Sequence, residues 1–187
     1  MEGQLVQVPV GAPDGLAGDP ATDDPAAPSD AAGFADAEPA GGILLRLGSS
    51  RYTVSMTEVA EVISLPPVTR IPGSPVFLTG VANWRGRMLP VLDVCPLLGT
   101  PMVPLASSAR LVVVQAGPVT AGLVAEAVPG VYDVSLLDAG PPPATLPAEA
   151  ARIISGQVAD GLGPIAVLDV GALLALRDLV DRRRHGG

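Results

Sequence analysis

The chain has 187 residues, 11 basic and 19 acidic side chains, a formal charge of −8 and one cysteine. Residues 1–40 contain no basic residue and account for the whole net charge, so the remainder is balanced and lacks the basic face that a nucleic-acid binder needs. A lone Cys95 excludes a disulfide framework or a cysteine-rich zinc site, and a length under 200 residues suits one domain or two small subdomains.

Residues 1–40 are rich in Pro, Gly, Ala and Asp, with Phe34 the only aromatic. Such a segment cannot bury enough apolar surface to offset its ordering entropy, and it reads as a disordered acidic arm. Docking of the arm on a basic partner is the alternative. The amino terminus lacks the basic region and unbroken apolar core of a secretory signal. No run approaches the ~18 apolar residues of a membrane span, so the expectation is a soluble, cytoplasmic protein with no direct membrane insertion.

From Gly42 the pattern changes. Ile43, Leu45 and Leu47 alternate with Leu44 and Arg46; after a Gly48-Ser49-Ser50 turn, Tyr52, Val54 and Met56 alternate with Thr53 and Ser55. This predicts a β-hairpin. A helical turn near Thr57–Ala60 precedes an extended stretch through Ile63. Pro66, Pro67 and Pro72 then make Leu65 to Pro75 a loop or edge. Strands follow near Val81–Trp84 and Arg87–Leu92. In the second half, strands are predicted at Arg110–Gln115, Thr120–Val128, Val131–Val134, Ile153–Val158 and Ile165–Leu168. Pro129-Gly130 reads as an interruption, Gly140–Pro147 as a loop without counterpart in the first half, and Val170–Arg184 as an amphipathic helix.

Two stretches share one plan. Gly80 to Leu98, GVANWRGRMLPVLDVCPLL, matches Gly156 to Leu174, GQVADGLGPIAVLDVGALL, with Gly80 and Asp93 answering Gly156 and Asp169 at the same spacing. An internal duplication follows. The turns differ: Asn83, Trp84, Arg85 and Arg87 in the first, Asp160, Gly161 and Gly163 in the second. Function is therefore expected to be specialised on the first copy. A duplicated series of short strands with Gly and Pro turns predicts a mostly-β fold: two barrels of about five strands each, with short helices and a C-terminal helix. The expected boundaries are a disordered arm over 1–40, a folded part over 41–181 divided at about 106/107, and a tail over 182–187.

These residues resemble the CheW family, the coupling adaptors of bacterial chemotaxis. The resemblance runs from about Gly42 to Leu179. It rests on Leu47-Gly48 followed by Tyr52, on Glu58 to Ile63, on Val68-Thr69-Arg70-Ile71-Pro72, and on Gly80 to Gly86 with Leu89-Pro90-Val91-Leu92-Asp93 behind it. It implies two SH3-like five-stranded β-barrels around a hydrophobic groove, no catalysis, no cofactor and no metal. The implied partners are a chemoreceptor cytoplasmic tip and the regulatory domain of a CheA-type histidine kinase, met at receptor arrays beneath the inner membrane. Asn83, Arg85 and Gly86 fall on the family's receptor-side turn, Val59 and Glu61 on a partner-contacting strand, and Arg70 on the adjoining loop. Trp84 stands where the family usually has a smaller aliphatic residue; it has the profile of an interface anchor and equally that of a core residue.

The other candidates have plainer readings. Asp93 and Asp169 each precede a Leu-Leu segment, where an Asp caps free N–H groups rather than forming a catalytic pair. His185 is the only histidine and lies in an arginine-rich tail. Without lysine no GxxxxGK[ST] phosphate loop exists. Cys95 reads as a small buried hydrophobe. The leading function is an adaptor. A CheW-like scaffold of a non-flagellar receptor–kinase pathway is the alternative, followed by a small-barrel nucleic-acid binder and an enzyme.

Overall fold

The computed structural model describes residues 5–6, 41–104, 108–132 and 139–176. The predicted hairpin forms as β2 (Gly42–Leu47) and β3 (Ser50–Ser55), turning at Gly48 with φ +61°. A 3-10 turn over Met56–Glu58 leads into β4 (Val59–Ser64). Strands β5 (Leu78–Trp84) and β6 (Arg87–Leu92) make the second hairpin. The grammar then repeats as β7 (Arg110–Ala116), β8 (Val119–Ala125), β9 (Ala127–Tyr132), helix α1 (Ala148–Ala151), β10 (Ile154–Asp160) and β11 (Gly163–Leu168). A two-residue strand, β1 (Leu5–Val6), lies within the arm expected to stay disordered; the rest of that arm falls outside the described residues.

The two sheets are not sequential halves of the chain. One has the order β4-β7-β8-β6-β5, the other β1-β9-β2-β3-β11-β10. Each five-strand set takes its central hairpin from one repeat and its other three strands from the other. The joints are parallel: β6 beside β8 through Val91 and Gly122, and β11 beside β3 through Ala166 and Tyr52. Val91, Leu111 to Val114, Val54, Ile153 and Leu173 belong to one continuous core shared by both sheets. Leu111 is seated against Gly122, where an added Cβ would lie 2.6 Å from its Cδ1.

The sheets are open, which overturns the expectation of two SH3-like five-stranded barrels. No ladder joins β4 to β5, or β10 to β1. Closure requires the first and last strands to pair along their length. Between β4 and β5 the chain passes Pro66, Pro67, Pro72 and Pro75, none with a backbone N–H to donate. It meets β5 at one bridge, where Thr69 and Val81 exchange N–H···O bonds of 2.8 and 2.9 Å. Gly140 and Gln157 make the matching bridge on β10, at 2.8 and 3.0 Å. The Gly140–Pro147 segment thus has a counterpart in the first half after all.

Two prolines sit inside strands without breaking them. Pro129 does not interrupt β9: the register shifts between Leu44 and Arg46, so Pro129 lies in a bulge where no ladder N–H is required of it. Pro90 faces Val81, whose own N–H and C=O are spent on Thr69.

The two aspartates of the repeat also diverge. Asp169 Oδ1 accepts the Ala172 N–H at 2.7 Å and caps a helical segment over 170–176; the remainder of the predicted helix lies outside the described residues. Asp93 is fully buried and accepts N–H bonds from Cys95 at 2.9 Å and Val103 at 2.7 Å. It ties a loop to the core instead of starting a helix.

Candidate protein-interaction site

The β5–β6 hairpin turns on two residues, Arg85 at φ +52° and Gly86 at φ +78°, with Trp84 and Arg87 the last pair of the ladder. Two positive φ values match the right-handed twist of the flanking strands. Arg85 is the only non-glycine residue with positive φ among those described, a conformation that costs an L-residue about 1–2 kcal/mol. Asn83 supports it: its Oδ1 accepts the Gly86 N–H at 2.9 Å across the turn.

Glu61 reaches this turn from the opposite edge of the same sheet. Between Val59 and Glu61 the pairing with β7 skips Ala60, and this bulge re-aims the residue that follows. Glu61 Oε2 accepts the Trp84 indole N–H at 2.7 Å and pairs with Arg85 Nη2 at 3.2 Å. The Arg85 guanidinium lies 5.4 Å from the centre of the Trp84 ring. The three groups differ in what they contribute. With its side chain 71% exposed, Arg85 gains little from its ion pair, about 0–1 kcal/mol. The indole bond to a half-buried carboxylate is the stronger contact, about 1.5–3 kcal/mol. Trp84 is thus held on one side by the core against which it packs and on the other by Glu61.

The remaining predicted residues are spread around this cluster. Val59 is half-buried and packs on the core at the start of β4. Arg70 is exposed on the proline-rich segment beside β5 and makes no ion pair among the described residues. Met88 was not singled out from the sequence, yet it is 68% exposed opposite Asn83. Alternation carried that signal, since Leu89 and Val91 point inward and leave Met88 outward.

The second copy of the hairpin is wired differently. Asp160 takes two bonds from Arg51, at 2.7 and 2.8 Å, and Arg51 also donates to the Gly163 carbonyl at 2.8 Å. This fork holds the Asp160 carboxyl below the usual carboxylate range and pushes the Arg51 guanidinium up. Its polar groups are satisfied within the sheet, whereas the first turn presents Arg85 outward. Cys95 is sealed in the core, and burial pushes its thiol up to about 12. Among the described residues no group of three or more His, Cys, Asp or Glu side chains could hold a metal ion, and no helix is long and apolar enough to cross a membrane.

The fold is a duplicated pair of open sheets, with a Trp–Arg–Glu cluster bridging the two edges of one of them. The chain belongs to the CheW-like domain family, whose model matches residues 41–178. Among its relatives is protein PilI of Pseudomonas aeruginosa, 43% identical over 89 residues, covering 48% of this chain and 50% of PilI. Protein FrzA of Myxococcus xanthus is 34% identical over 62% of this chain and 72% of its own length. Chemotaxis protein CheW of Klebsiella aerogenes is 25% identical over 73% and 82%. The chain thus spans about half the length of PilI and most of FrzA and CheW. Among solved structures, the scaffolding protein TtCheW of Thermoanaerobacter tengcongensis superposes with a TM-score of 0.62 at 25% identity, covering 70% of this chain and 89% of that one.

Proposed function

We propose that this protein is a non-catalytic cytoplasmic adaptor that couples chemoreceptors to a CheA-type histidine kinase, with the Glu61–Trp84–Arg85 cluster on its contact surface. The carrying observation is the cluster itself: an exposed arginine fork is positioned by a carboxylate and an aromatic face instead of being left to sample solvent. Pre-ordering of this kind lowers the entropy lost on binding, and Trp and Arg are the side chains enriched at interface hot spots. The guanidinium retains donors for a carboxylate or backbone carbonyl of a receptor helix. Val59 and Glu61 on β4 supply the kinase-facing edge, and Arg70 lies on the segment that leaves β4 and bridges to β5. The mechanism is positional: the adaptor shifts kinase states only through differential contacts with them.

Calorimetry with the regulatory domain of a histidine kinase from the same genome tests this reading. Binding at micromolar or tighter is expected, weakened at least tenfold, about 1.4 kcal/mol, by Glu61→Ala. Arg85→Ala should weaken capture of the receptor tip while leaving kinase binding in place. A wild-type protein that binds neither partner would sink the proposal.

A further inference from the structure

The two sheets match strand for strand except at one place. Strand β4 ends its sheet, but β9, its counterpart in the second repeat, carries an extra neighbour: Leu5 pairs with Tyr132 and Val6 with Val131. We propose that the outer edge of β9 is a strand-docking site that the chain fills with its own amino-terminal Leu5–Val6, a tethered and exchangeable cover that keeps this edge from pairing with another molecule. The inference does not depend on the adaptor reading.

Three features carry it. First, the two edges differ in how they are protected. A sheet edge is blunted by charge, proline or a bulge, and β4 has Glu61, the Ala60 bulge and the Pro66-Pro67 stop beyond it. Strand β9, Ala-Val-Pro-Gly-Val-Tyr, has no charged side chain, and its bulge and proline lie at the start, leaving Val131 and Tyr132 in regular register.

Second, the arm is not uniform in composition. Gln4-Leu5-Val6-Gln7-Val8 is uncharged with Leu or Val at three of its five positions, whereas residues 11–40 are acidic and rich in proline and alanine. That is a short segment of strand-favouring composition followed by one of acidic, proline-rich composition. Third, the tether closes a short distance. Tyr132 is flanked by Leu5 on one side and Gly42 on the other, two strand spacings apart, about 10 Å. Residues 7–41 span this with ample slack. The docked segment is therefore held at a raised effective concentration by its linkage, while only two residue pairs bind it. Such a strand stays on when nothing competes and leaves when a longer strand arrives.

Hydrogen exchange on the full-length chain tests the proposal, comparing the wild type with a Leu5→Pro/Val6→Pro variant that cannot donate from the docked strand. Consecutive strand residues point their N–H groups to opposite sides, so one of Val131 and Tyr132 faces β1. That amide should exchange at least about fivefold faster in the variant. Val112 in the interior of β7 reports that the fold is intact and should be unchanged. Equal exchange at Val131 and Tyr132 in the two proteins would overturn the proposal. So would wild-type protection that disappears on dilution in step with dissociation of dimers, because the covering strand would then come from a second copy. Protection independent of concentration, with self-association appearing in the variant alone, is the expected result.

Discussion

Glu61 accepts the Trp84 indole N–H at 2.7 Å although the two residues stand on opposite edge strands of one sheet. The sheet curls far enough for side chains to meet, yet no backbone ladder closes it. The link therefore joins the two margins of the candidate site, and a change at one margin should be felt at the other.

Trp84→Phe isolates that link, because it keeps the ring and deletes the donor. A loss of about 1 kcal/mol in urea unfolding is expected, below the full value of a charge-assisted bond because solvent can replace the donor at a half-buried carboxylate. Glu61→Ala, which removes the acceptor oxygen that glutamine would keep, should cost a similar amount. The double variant should lose less than the sum of the two, since both remove one contact. Strict additivity would show that the bond contributes nothing in solution.

The left-handed backbone at Arg85 makes a separate prediction. Arg85→Ala and Arg85→Gly both remove the guanidinium and should weaken receptor capture equally. Only alanine keeps a Cβ at φ +52°. The glycine variant should therefore be the more stable by about 1 kcal/mol, read from denaturant midpoints at constant m-value. The opposite order would mean that this turn relaxes out of the left-handed region.

Acid stability should report the Arg51–Asp160 fork. Its folded-state carboxyl is depressed below an ordinary value of 3.8, chiefly by the Arg51 hydrogen bonds. The resulting stabilisation is fully present above that ordinary value and is lost as the pH falls through the lower folded one. Asp160→Asn should accordingly be about 2 kcal/mol less stable than the wild type near pH 6. The gap should close as the pH drops below about 4. A gap that stays constant down to pH 2 would exclude the fork as its source.

Cys95 should be nearly inert. Its thiol is raised from 9.0 to about 12, mainly by burial. Labelling by a thiol reagent at pH 8 should then follow opening of the core and speed up with urea. The same shift favours the folded state below pH 9 and withdraws that support as the pH rises toward 12. Rapid labelling of native protein at pH 8 would place the thiol outside the core.

Gly80 marks the first repeat for a steric reason. It sits at φ +155°, and an added Cβ would run into the Thr69 carbonyl oxygen; at Gly156 the same atom would lie 2.7 Å from the Gly140 oxygen. Gly80→Ala should cost about 2 kcal/mol or more and detach the Thr69 bridge, seen as faster exchange of the Val81 amide. Unchanged exchange there would show that the Thr69 bridge survives the added methyl group.

By itself the sequence determined what is local. Alternation of Leu, Val and Ile located the strands, paired glycines and aspartates exposed the duplication, and Asn83-Trp84-Arg85-Gly86 announced a tight hairpin turn with unusual side chains. The tertiary structure decided which strands lie together. A period of two marks a strand but not its neighbour, so nothing local shows that β3 joins β11 or that β6 joins β8 in parallel. The closed barrels expected from the resemblance fail for a related reason, because closure is a property of the first and last strands together, and prolines keep those from pairing. Asp93 shows the same limit: its composition suggested a helix cap, and only its burial between Cys95 and Val103 made it a core tie. The contact between Glu61 and Trp84 was equally out of reach, since it depends on one bulged residue and the curl of an entire sheet. Local preferences write the elements; long-range packing chooses their partners.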